Sequence, residues 1–226
     1  MQNESISSNI NDKIIDFLQK NRKSILICIG VMAFLFVGLV VFISLQDVFN
    51  KKALLEIDEL TGRFDEVRFL MTDDAYAADL DKLLADLDAF TVNKNGYPAS
   101  KAWSITAQIH SSRKEWQKAK DAWLKASKTG NKTYLAPISL FNAAAAAEEQ
   151  GNIEQAIELL GDCIAHPFEF PAAARAQFAI GRLYEKQNNY PAAIEAYRTV
   201  LTDWNDIPIW QHLARSRIAA ISVIVK

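Results

Sequence analysis

The chain has 226 residues, with 25 Lys and Arg against 27 Asp and Glu and a formal net charge of −2. Half of the residues are apolar, with only 8 glycines and 6 prolines, which excludes a low-complexity or disordered chain and favours packed helices. No basic face stands out, so the composition carries no footprint for nucleic-acid binding.

The first stretch, Met1 to Asn11, is polar and reads as loose. The end of this N-terminal segment (residues 1–23), from Asp12 to Lys23, looks amphipathic, with Ile14, Ile15, Phe17 and Leu18 among Lys13, Lys20, Arg22 and Lys23. Residues 24–46 follow as 23 residues without a charge, SILICIGVMAFLFVGLVVFISLQ. At 1.5 Å per residue such a helix is about 34 Å long, against a hydrocarbon core of about 30 Å. A cleaved signal peptide would have a shorter apolar core and a small-x-small site, and this run ends in Ile43-Ser44-Leu45-Gln46. A lipoprotein signal fits badly, because Cys28 sits near the start of the run after Ile27. The sequence therefore predicts an uncleaved transmembrane helix. Lys13, Lys20, Arg22 and Lys23 before it outnumber the nearby Lys51 and Lys52 after it. That bias places the N-terminus in the cytoplasm and the bulk of the chain outside it.

Residues 47–226 read as one helical domain. Ile57, Leu60, Phe64, Val67 and Met71 alternate by three and four, marking one apolar stripe. That stripe either packs on its own domain or joins the transmembrane helix in oligomerisation, although about two heptads is short for a coiled coil. Thr72, Asp73 or Asp74 can cap the next helix, which carries Tyr76, Leu80, Leu83, Leu84, Leu87 and Phe90. Residues 47–92 thus read as a degenerate helical pair covering one end of the domain. Asn95-Gly96 is a turn.

From there the sequence repeats. Ala193, Ala156 and Ala119 are spaced by 37 residues, and the same shift relates Gly181, Ala144 and Ala107, all small. Tyr190, Ile153 and Trp116, and then Tyr197, Leu160 and Trp123, are the large apolar members of the same register. Val200, Cys163 and Ala126 form a further column. Pro98, Pro137, Pro171 and Pro208 keep roughly this beat, each ahead of a helical pattern, where the fixed φ and missing N–H of proline are tolerated. The fullest copy is Ala174 to Asn205, and its spaced Gly181, Tyr184, Tyr190, Ala193 and Tyr197 resemble a tetratricopeptide (TPR) repeat. A period of 37 implies slightly long helices or turns. The resemblance implies helix-turn-helix units over 98–128, 137–165 and 171–202, closed by a capping helix at 208–226. The expected fold class is all-α: a single N-terminal transmembrane helix, then a TPR-like α-solenoid of helix-turn-helix repeats.

No catalytic constellation emerges. His110, His166 and His212 lack metal-type spacing, and neither a Gly-rich phosphate loop nor a nucleophile elbow is present. His110 falls in a packing column with Ala147 and Tyr184. Cys28 lies in the expected span and Cys163 in a core column, so no internal disulfide is expected. The reading is therefore no enzyme, no cofactor and no metal site, but a protein-binding module. In a curved stack the first helix of each pair lines the concave side. The TPR resemblance places Ser104, Phe141 and Phe178, then Gln108, Ala145 and Arg182, in groove-facing columns, flanked by Lys101 and Arg175. TPR domains that clamp a chaperone's C-terminal carboxylate use basic and Asn residues there. Phe141, Phe178 and Ala145 depart from that pattern and suit an apolar segment instead.

The order of segments, with NINDKIIDFLQKNRKSI, one span and then degenerate TPR units, also resembles a bacterial family. It is similar to the ancillary subunit of the Sec translocon. That resemblance implies an inner-membrane, single-pass protein with an extracytoplasmic, periplasmic TPR-like domain. Its implied partners are translocon subunits, chaperones or unfolded clients. A scaffold for another envelope assembly is the alternative with the same layout.

Overall fold

A computed structural model describes residues 20–70, 76–92 and 94–225. The amphipathic pattern expected before Lys20 and the caps expected at Thr72, Asp73 and Asp74 lie outside the described residues. The chain divides into two units, Met1–Ala53 and Leu54–Lys226.

Helix α1, Arg22–Val67, is 46 residues long and contributes to both units. In the first unit its described apolar side chains from Leu26 to Val41 are exposed, with Leu26, Met32, Phe34 and Phe36 at 61–78%. Side chains 24, 25, 28, 29, 33 and 42–49 are outside the description. Among the described residues no helix is long and apolar enough to cross a membrane. The span expected at 24–46 therefore rests on the sequence alone.

In the second unit, the end of α1 buries Ile57, Leu60 and Phe64 of the expected stripe, with Val67 half-buried and Met71 outside the described residues. Helix α2, Ala77–Thr91, buries Leu80, Leu83, Leu87 and Phe90. An Arg63–Asp86 ion pair at 2.7 Å spans these two helices.

Seven further helices follow: α3 Gly96–Ser112, α4 Trp116–Thr129, α5 Leu135–Glu149, α6 Ile153–Ile164, α7 Ala173–Lys186, α8 Tyr190–Asp203 and α9 Pro208–Ile224. Consecutive helices pack on one another, and α3 also meets α5, as α7 meets α9. The columns of the 37-residue register form the core between them. Ala119, Ala156 and Ala193 are fully buried, as are Ala126, Cys163 and Val200. Small residues in these columns bring helix axes close, and Trp123, Leu160 and Tyr197 fill the space that remains.

The turn inside each pair repeats as faithfully as the core. Lys114, Gly151 and Asn188 all hold a positive φ, at 58°, 80° and 57°. Each is followed by a residue whose backbone N–H reaches back into the preceding helix: Glu115 to His110 O at 2.9 Å, Asn152 to Ala147 O at 3.0 Å, and Asn189 to Tyr184 O at 2.9 Å. These bonds satisfy carbonyls that the helix end would otherwise leave open. In the two later turns the asparagine also caps the next helix, Asn152 accepting from Gln155 N and Asn189 from Ala192 N.

Candidate functional site

Between α5 and α7 lies a hollow of about 260 Å³. Positions spaced by three and four place Phe141, Ala145 and Glu148 of α5 against Arg175, Phe178 and Arg182 of α7, and Trp210 of α9 closes the end. The run Ala143 to Ala147 explains the opening. Four of its alanines are buried between helices, whereas Ala145 is exposed and faces the hollow with nothing beyond a methyl group. Phe178 stacks at a tilt on Tyr197 and Trp210, with ring centroids 5.0 and 5.5 Å away. Phe141 lies 5.4 Å from Phe170, and the Arg175 guanidinium sits over its ring at 5.1 Å.

Charge in this wall is uneven. Arg182 forms a forked pair with Glu148, with Nη1 donating to Oε1 at 2.6 Å, and Lys186 approaches the same carboxylate at 3.6 Å. The hydrogen bonds from Arg182 hold the Glu148 carboxyl below its usual range despite burial, and the same pair raises Arg182. Arg175 is exposed, and among the described residues no carboxylate pairs with it.

A second hollow, of about 540 Å³, adjoins the first through Ala145, which lines both. Its wall is polar and aromatic, with Gln108 of α3, Trp116 and Trp123 of α4, and Asn142 and Glu149 of α5.

Of the residues singled out in the sequence, Phe141, Ala145, Arg175, Phe178 and Arg182 share the first hollow and Gln108 lines the second. Ser104 is buried instead, its hydroxyl donating to Ser100 O at 2.8 Å, so it has nothing to offer a ligand. Lys101 is half-buried and borders neither hollow. Among the lining residues that the sequence reading did not place in a groove are Glu148 and Trp210. The 37-residue register could have found Trp210. Pro208 repeats Pro171, which sets α9 beside α7 and brings the early residues of α9 to the groove.

The remaining polar candidates are structural. His110 Nδ1 meets Glu115 Oε2 at 2.5 Å across the α3–α4 turn. Burial pushes the Glu115 carboxyl up, but its hydrogen bonds to His110 and Lys118 bring it below its usual range. Buried Lys120 donates to Gln155 Oε1 at 2.6 Å in the first turn of α6 and to Gln150 Oε1 at 3.2 Å at the C-cap of α5. Cys163 is fully buried, its thiol donating to Pro137 O, and burial pushes it up to about 12. Among the described residues no group of His, Cys, Asp or Glu is arranged to hold a metal ion.

Comparison with known proteins agrees with this architecture. Residues 141–206 match the tetratricopeptide repeat family. A "TPR repeat-containing protein" of Treponema pallidum (strain Nichols) is 35% identical over 147 residues, 63% of this chain and 60% of that protein. The match thus spans less than two thirds of the relative's length. Among solved structures, a Podosopora anserina kinesin light chain with nearly identical TPR-like repeats superposes with a TM-score of 0.55 at 13% identity, covering 73% of this chain and 86% of its own. A single-residue variant of the same protein gives a TM-score of 0.55 and covers 85% of its own length. The fold is an all-α, TPR-like helical repeat, and residues 141–206 are the part that matches the tetratricopeptide repeat family.

Proposed function

We propose that this chain is a membrane-anchored interaction module whose groove between α5 and α7 takes an apolar segment of a partner protein. The observation that carries the reading is the hollow itself. Phe141, Ala145, Phe178 and Trp210 give it an apolar lining, half-open and ringed by charge, which is the chemistry of helix- and peptide-binding grooves. The membrane part is supported by the 23 uncharged residues at 24–46 and by apolar side chains exposed along the first part of α1. A helix that is apolar on every side needs a core or a lipid phase around it. The basic residues before the span favour a repeat domain outside the cytoplasm.

The order of segments is similar to that of the ancillary Sec translocon subunit. On that likeness we place the protein beside Sec-type translocation, or the folding of translocated chains. The test is site-specific photocrosslinking in native membranes, with a photoreactive residue at Phe36 or at Phe178. Adducts from Phe36 to channel subunits and from Phe178 to chaperones or unfolded clients are expected. Adducts only to other envelope proteins would move the function to a different assembly. Full release of the chain by alkaline carbonate would overturn the anchor.

A further inference from the structure

We infer that the occupant of the groove is an apolar peptide segment carrying an acidic side chain beside its bulky anchor, with Arg175 as the residue that reads the acid. The inference rests on the groove reading above and adds the chemistry of the partner. The walls around the first hollow carry three cations, Arg175, Arg182 and Lys186, and one carboxylate, Glu148. Glu148 is occupied twice over, by the fork of Arg182 and by Lys186. Among the described residues, that leaves the face of Phe141, at 5.1 Å, as the group that answers the charge of Arg175. A guanidinium satisfied by a ring face alone still has N–H donors to offer, and its planar fork can meet a carboxylate with two hydrogen bonds.

The pocket next to it is apolar and aromatic, enclosed by Phe141, Phe178 and Trp210. An anchor seated there puts a flanking side chain within reach of Arg175. The second hollow offers no cation, its charged residue being Glu149. Acidic residues of the partner are therefore favoured over α7 and disfavoured over α3, and the segment has one preferred direction. A second copy of the chain is a poorer occupant, because its own exposed apolar end in α9 carries Arg215, Arg217 and His212 and no acid.

The test is selection of twelve-residue peptides from a random displayed library on the full chain, followed by anisotropy with the winning peptide made synthetically. Enrichment of Asp or Glu next to an aromatic or leucine is expected. Replacing that acid by its amide should weaken binding about fivefold, within the range for a partly exposed charge pair. Arg175→Gln should abolish the difference between the acidic and amide peptides, lowering the acidic peptide's affinity several-fold more than the amide peptide's. Ala145→Trp, at an exposed helix position, fills the hollow and should block both peptides.

Peptides blocked by Ala145→Trp but without an acidic preference would overturn the charge inference and leave the groove standing. No enriched peptide, or binding indifferent to Ala145→Trp, would overturn the groove as well. Crosslinks from a photoreactive residue at Phe178 to a second copy of the chain would replace the peptide by self-association.

Discussion

The pairs α5–α6 and α7–α8 use the same register with opposite volumes. In α5–α6 the column pair is Ala144 and Leu160, while in α7–α8 it is Gly181 and Tyr197. A Cβ placed on Gly181 would lie 2.6 Å from Cε1 of the Tyr197 ring. The glycine is there because the tyrosine is. Its role is to receive a ring rather than to turn the chain. What one position gains in size the facing position gives up, so the repeat holds its spacing while its identity changes. The exchange also brings a polar handle into the core. The Tyr197 hydroxyl donates to Glu185 of α7, and Arg217 of α9 donates to the same carboxylate at 2.6 and 3.0 Å. In the α5–α6 pair the leucine supplies no hydroxyl, and Glu148, one register step before Glu185, is held among the described residues by Arg182 and Lys186 alone.

The largest expected effect breaks the exchange directly. Gly181→Val forces a branched side chain into the Tyr197 ring and should destabilise the chain by about 3 kcal/mol, at the upper end for overpacking. Combining Gly181→Ala with Tyr197→Leu recreates the α5–α6 pair and should recover most of what Gly181→Ala alone loses. Thermal unfolding of the single and double variants measures the coupling. An unchanged melting temperature for Gly181→Val would mean that the two residues do not face each other.

A smaller effect sharpens the polar half of the comparison. Burial pushes the Glu185 carboxyl up, but hydrogen bonds from Arg217 and Tyr197 outweigh it and leave the carboxyl below its usual value of 4.5. A group with a depressed folded value stabilises fully above its unfolded value and loses that contribution as the pH falls through the folded one. The melting temperature should therefore drop on acidification from below about pH 4.5, where unfolded glutamate starts to bind protons. Arg217→Met should lower the melting temperature at pH 6 and shrink the further acid-induced drop. An acid-induced drop of the same size in Arg217→Met would show that the tie contributes nothing.

The comparison also shows which parts of the molecule were legible in sequence. The all-α repeat fold follows from columns of small and large residues at one constant offset, because helix packing at close distance tolerates few other choices. The apolar floor of the groove follows from the same register, which carries Phe141 to Phe178 and Ala145 to Arg182. Charge pairing did not follow. Nothing in the spacing says that Arg182 is spent on Glu148 while Arg175 has no carboxylate partner among the described residues, because that depends on how far α5 and α7 slide past each other. The burial of Ser104 was equally hidden, since a serine bonded to its own helix can sit where a groove residue would. The exposed apolar surface of α1 is plain in the sequence, but what surrounds it is a property of the phase and not of the fold.

The smallest expected effect lies in the turns, where the copies differ at one backbone position. Lys114, Gly151 and Asn188 hold the same left-handed conformation with three different residues. Asparagine and glycine enter that region readily, whereas a lysine Cβ crowds the following carbonyl at a cost of about 1–2 kcal/mol. Lys114 is exposed, so a change there removes strain and little else. Lys114→Gly also frees the unfolded chain, which takes back about half of the gain, leaving about 0.5 kcal/mol of added stability. Gly151→Lys is the reverse exchange in the next copy and should cost a similar amount. Denaturant unfolding of the two variants should therefore shift the midpoint in opposite directions. Shifts of the same sign would mean that the turns, unlike the columns, are not interchangeable between repeats.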